Sequence, residues 1–75
     1  MQLTDVLIHI NDNINEGEEE NLVERLRDLE GVIAPRFNKD KKHLLSVAYN
    51  SGTISSLTLL HEIKGKGYKA QLVGL

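Results

Sequence analysis

Apolar and polar residues alternate from Leu3 to Ile10, with Val6, Ile8 and Ile10 on one face and Leu7 and His9 on the other. A period of two is the signature of a half-buried strand. The polar stretch Asn11-Asp12-Asn13-Ile14-Asn15 interrupts it, and the period then lengthens: Leu22, Leu26 and Leu29, with Val23 beside them, recur at helical spacing. Asn15 is the expected N-cap, Glu18 three residues on completes a capping box, and Glu16 to Glu20 put negative charge at the positive end of the helix dipole. Gly31 is the expected left-handed stop. Val32 to Asn38 reads as a second strand, placed at a sheet edge because Pro35 cannot donate to a ladder. A hairpin loop, Asn38-Lys39-Asp40-Lys41-Lys42, leads to a third strand from His43 to Tyr49. Its Leu45, Val47 and Tyr49 share one face, and Leu44, Ser46 and Ala48 the other. Asn50-Ser51-Gly52 breaks that strand. Ser55 can cap a second helix to about Lys64 with Leu59, Leu60 and Ile63 inward, Gly65-Lys66-Gly67 ends it, and Tyr68 to Val73 closes the chain as a fourth strand.

The order is therefore β-α-β-β-α-β over one small domain, residues 1–75. Right-handed crossovers put the third strand between the first and second, and the first between the third and fourth. The expected fold class is α+β: a ferredoxin-like sandwich, a four-stranded antiparallel sheet with both helices on one face. Three loops then gather at one end, Asn11 to Glu16, Asn38 to Lys42, and Lys64 to Tyr68, and His9 and His43 fall close together there.

Composition narrows the chemistry. A chain of 75 residues buries only about 60% of its unfolded surface, so nearly every apolar residue is needed for the core. With no cysteine, disulfides, thiolate metal sites and thiol nucleophiles are excluded. Ser51, Ser55 and Ser56 fall in turn and cap positions without a His/Asp relay, and no enzyme activity is expected. Three aromatic residues and a net charge of −2 argue against a nucleic-acid partner. No apolar run is long enough for a membrane span and Met1 to Asp5 does not read as a signal peptide, so a cytoplasmic location is expected. The charge is unevenly spread. Residues 1–32 hold nine acids and two bases, a balance of −7, whereas residues 33–75 hold two acids and seven bases, a balance of +5. Either the two halves neutralise each other on folding, or they form a charge-patterned docking surface.

Leu29-Glu30-Gly31-Val32, Leu45-Ser46-Val47-Ala48-Tyr49-Asn50, and Leu59, Ile63 and Gly67-Tyr68-Lys69-Ala70 match, in order and spacing over almost the whole chain, a known pattern. The sequence resembles the heavy-metal-associated domain of copper chaperones and of the N-terminal metal-binding modules of copper- and zinc-transporting ATPases. That family binds soft metals through G-M-T-C-x-x-C. Counted back from Gly31, those positions fall on Asp12 to Glu18, and the cysteines are replaced by Asn15 and Glu18. An amide and a carboxylate lack the soft sulfur pair that selects Cu(I).

Two functions follow from different classes. The first is a non-enzymatic protein-interaction or accessory module that keeps the scaffold and recognises a protein partner through Asp12, Asn15, Glu16, Glu18, Glu19, Lys39, Lys41, Lys42, Lys66 and Tyr68. No metal or other cofactor is expected on that reading. The alternative is metal-ion binding or homeostasis, a divalent metal being held without thiols by His9, Asp12, Glu16, Glu18 and His43, an acceptable O/N donor set for Zn, Ni or Mn. Edge-strand pairing into a homodimer is a third option. Tyr68 is expected to pack at the sheet end with its hydroxyl in solvent, and His61 to be solvated on the second helix.

Overall fold

The computed structural model describes residues 2–73. The elements run in the expected order: β1 (Leu3–Ile10), α1 (Glu16–Arg27), β2 (Val32–Phe37), β3 (Leu44–Asn50), α2 (Ser56–Gly65) and β4 (Ala70–Val73). The strands form one sheet in the order β2-β3-β1-β4, with every neighbouring pair antiparallel. This is the ferredoxin-like sandwich. The pleat explains the layering: Val6, Ile8 and Ile10 of β1 and Leu45, Val47 and Tyr49 of β3 all turn to one face and are buried. Leu22 and Leu26 of α1 and Leu59, Leu60 and Ile63 of α2 close over them as one core. Burying apolar side chains of this size contributes about 1.5–3 kcal/mol each, and the core is the principal stabilising force. The other sheet face keeps Leu7 41% exposed beside Arg36, Ser46 and Leu44.

Both helices start as expected. Asn15 Oδ1 accepts from the Glu18 N–H at 2.8 Å and Glu18 Oε1 accepts from the Asn15 N–H at 3.2 Å, a complete capping box. Ser55 Oγ accepts from the Thr58 N–H at 3.1 Å. The helix ends differ from each other. α2 stops at Gly65, and Gly67, one residue past the C-cap Lys66, takes a φ of 97°. α1 stops at Arg27 and not at Gly31, because the chain tightens at Asp28 and Leu29, whose N–H donates to the Leu26 carbonyl at 3.0 Å. Gly31 is left-handed as expected, φ 97°, but it turns the chain into β2. A Cβ there would lie 2.9 Å from Ile54 Cγ2 and 3.0 Å from Thr53 Cβ, so the position needs glycine for space as well as for φ.

β2 is an edge strand, as Pro35 required, and the proline side chain is buried opposite Val47. A register shift between Val32 and Ala34 bulges this edge. β3 begins one residue later than expected, at Leu44. β4 begins at Ala70 and not at Tyr68, because Lys69 gives its N–H to the Asp12 side chain instead of to a neighbouring strand. Among the described residues no helix is long and apolar enough to cross a membrane.

Candidate functional site

The end of the sheet where β1 stops and β3 starts carries the candidate site. Three loops meet there and are tied by direct bonds. The Ile10 N–H donates to the His43 carbonyl at 2.9 Å and the Asn11 N–H to the Lys69 carbonyl at 2.7 Å. Asp12 Oδ2 accepts the Lys69 N–H at 2.8 Å. The Tyr68 hydroxyl donates to Glu18 Oε2 at 3.1 Å, joining the α2–β4 loop to the first turn of α1. The expectation for Tyr68 does not include this partner. Burial, and then the hydrogen bond and charge of Glu18, hold the Tyr68 pKa above its ordinary value of 10.0, because each disfavours a phenolate.

The ten residues expected to form a docking surface are all at this end, but they divide. Asn15, Glu16 and Glu19 of the α1 start face a groove of 460 Å³ that also takes Lys39 and Lys42 from the β2–β3 loop, with Ile14 and Phe37 as its apolar lining. Lys66 and Tyr68 line a separate recess of 220 Å³ with Asn21 and Leu22. Asp12 and Glu18 are spent on the loop contacts just described, and Lys41 is exposed in its loop. The groove continues along the flank between α1 and β2, where Glu20, Val23, Glu24, Arg27, Pro35 and Arg36 line a further 370 Å³. That extension was not legible in the sequence, since it depends on how α1 lies against the edge strand.

The one ion pair among the described residues is Arg25 Nε to Glu62 Oε1 at 3.9 Å, and it joins a base of the acidic half to an acid of the basic half. Glu16 and Glu19 therefore share the groove with Lys39 and Lys42 without close pairing.

Of the residues expected as non-thiol ligands, the structure brings His9 and His43 together. Their ring centroids are 5.6 Å apart with planes 25° from parallel. Among the described residues no three His, Asp or Glu side chains are grouped to hold an ion, so Asp12, Glu16 and Glu18 do not join the histidines as one set. The Asn15 and Glu18 side chains, at the positions corresponding to the family's cysteines, are committed to the cap of α1.

No family model matches the chain, and no curated protein matches it. Solved structures do. The chain superimposes on the N-terminal domain of a potential copper-translocating P-type ATPase from Bacillus subtilis, in its Cu(I)-loaded state, with a TM-score of 0.86 at 23% identity, covering 97% of this chain and 90% of that one. The fold is that of the heavy-metal-associated domains. The CsoZ metallochaperone shares it at a TM-score of 0.80 and 22% identity, over 97% of this chain and all of its own length, 100%. Oxidised MerP from Ralstonia metallidurans shares it at a TM-score of 0.84 and 12% identity, over 96% and 99% of the two chains. By description the first of these is a Cu(I)-loaded domain of a potential copper-translocating ATPase and the second a metallochaperone. The heavy-metal-associated fold is thus kept over nearly the whole chain while its loop carries an amide and a carboxylate.

Proposed function

We propose that the chain is a non-enzymatic, cytoplasmic interaction module that keeps the heavy-metal-associated scaffold without its cysteine ligands and docks a protein partner at the loop end. The observation that carries this reading is the groove between the α1 start and the β2–β3 loop: apolar at Ile14 and Phe37, with Glu16 and Glu19 on one element and Lys39 and Lys42 on the other, none of them in an ion pair among the described residues. Apolar surface at the centre of a contact supplies affinity, and charges around it set orientation and on-rate. The partner is a protein surface that presents base to α1 and acid to the lysine loop around an apolar anchor. Carriage of Cu(I) by Asn15 and Glu18 is not part of this function, since neither offers sulfur and both are engaged in the helix cap.

The test is affinity capture with the parent chain and with two charge reversals, Glu16→Lys with Glu19→Lys, and Lys39→Glu with Lys42→Glu. Each reversal should abolish retention of the same partner, and retention by the parent should fall as salt rises from about 0.1 M to about 1 M. A partner held equally by all three proteins, or held regardless of salt, overturns the reading. A second copy of the chain as the captured species would turn it toward a homodimer.

A further inference from the structure

Two imidazoles meet at the sheet end, and the docking groove uses neither. His9 stands next to last in β1, and His43 immediately precedes β3. Antiparallel register sets His9 opposite Leu44, which brings the preceding His43 alongside the end of β1, and the two rings lie near-parallel at 5.6 Å. In each ring one nitrogen is already committed. His43 Nδ1 is 2.8 Å from the Ile10 carbonyl oxygen, and His9 Nδ1 is 2.7 Å from Asn11 Oδ1. A carbonyl oxygen only accepts, so each Nδ1 carries the ring proton, and each neutral ring has its lone pair on Nε2. Metal-ligating histidines are held in this way: the outer N–H is given to an oxygen, which fixes the tautomer, orients the plane and raises the basicity of the other nitrogen.

We infer that His9 and His43 form a two-imidazole site, through their Nε2 atoms, for a borderline divalent cation such as Zn²⁺, Ni²⁺ or Co²⁺. Imidazole nitrogen suits these ions better than hard oxygen-seeking ones. With metal–nitrogen bonds of about 2.0–2.1 Å, one ion spans nitrogens up to about 4 Å apart. The ring centroids are 5.6 Å apart, and placing both Nε2 atoms on one ion requires the partly buried His9 ring to turn. Two of the carboxylates expected as ligands are engaged elsewhere: Asp12 is held by the Lys69 N–H, and Glu18 by Asn15 and Tyr68. No third His, Asp or Glu is grouped with the pair among the described residues. The site therefore has two protein donors and open positions for water or for a donor from another molecule, the form suited to exchange and not to a closed structural ion. It rests on none of the groove residues and stands or falls independently of the docking reading.

The experiment uses the untagged full chain. Titration with CoCl2 followed by visible absorption, and with ZnCl2 followed by calorimetry and by ¹⁵N shifts of the imidazoles, should give one ion per chain and perturb the Nε2 resonances of His9 and His43. His9→Gln and His43→Gln should each weaken binding by about tenfold or more, and the double variant should abolish it. His61→Gln, on the exposed side of α2, should leave it unchanged. No binding to the parent at millimolar metal overturns the proposal, as does undiminished binding by the double variant or a loss that follows His61. The ¹⁵N shifts of the parent decide the matter even if a histidine variant fails to fold.

Discussion

Installing a thiol pair at the two cap positions tests the reading of the loop directly. The double variant Asn15→Cys, Glu18→Cys removes three bonds: Asn15 Oδ1 to the Glu18 N–H at 2.8 Å, Glu18 Oε1 to the Asn15 N–H at 3.2 Å, and Glu18 Oε2 to the Tyr68 hydroxyl at 3.1 Å. Loss of an N-cap costs about 1 kcal/mol. The part-buried Tyr68 bond adds about 0.5–1 kcal/mol, and the remaining exposed bond adds little. The metal-free variant should thus lose about 1.5–2 kcal/mol, which in a domain of this size lowers Tm by roughly 6–16 °C. Buffered Cu(I) under anaerobic conditions should reverse the loss. A ligand that binds only the folded state stabilises by about 4 kcal/mol at a thousandfold excess over Kd, so the loaded variant should melt above the parent. The same Cu(I) should leave the parent's Tm unmoved. Differential scanning calorimetry with and without Cu(I) makes both measurements. A metal-free variant as stable as the parent would refute the capping role of Asn15 and Glu18. A variant that ignores Cu(I) would refute the correspondence between this loop and the metal loop of the fold.

Other outcomes follow from the same contacts. Tyr68 has a raised pKa, so its neutral form is favoured in the fold; the stability it contributes is fully present below 10.0 and is lost as pH rises through the higher folded value. Tyr68→Phe should therefore cost about 0.5–1 kcal/mol at neutral pH and flatten the decline of Tm above pH 10, and a decline of the same steepness would contradict this. Gly31→Ala and Gly67→Ala both force a left-handed φ of 97°, worth about 1–2 kcal/mol, but only Gly31 also meets neighbours at 2.9–3.0 Å, while a Cβ at Gly67 meets nothing within 4 Å. Urea denaturation should show the larger loss for Gly31, and equal losses would remove the steric argument. Leu26→Ala, at a fully buried position, should cost about 2–5 kcal/mol and leave a substantial unfolded population by circular dichroism.

Element type and order were legible because each element announces itself locally. β1 alternates cleanly, α1 has a cap and an acidic first turn, and Pro35 labels its own strand as an edge. The juxtaposition of His9 and His43 was legible as well, since it follows from antiparallel register alone. The end of α1 was not. Leu29 keeps the helical period and still packs against the core, yet it lies beyond the helix in a tighter turn, and periodicity cannot distinguish the two. Nor was the partner of Tyr68, because Glu18 is fifty residues away and neither position carries a local signal for the other. The division of the charged residues between two sides of α1 has the same origin: sequence places them at one end but not around the circumference of that end.

The cross-loop bonds have one consequence for whatever meets this end of the molecule. Asn11, Asp12 and Glu18 fix the neighbouring loops to one another through Lys69 and Tyr68 using the chain's own atoms. These two loops are therefore held together by folding itself, and a visitor to them has less backbone freedom left to freeze. The Lys69 amide, bonded to Asp12, should exchange with deuterium as slowly before an encounter as after it.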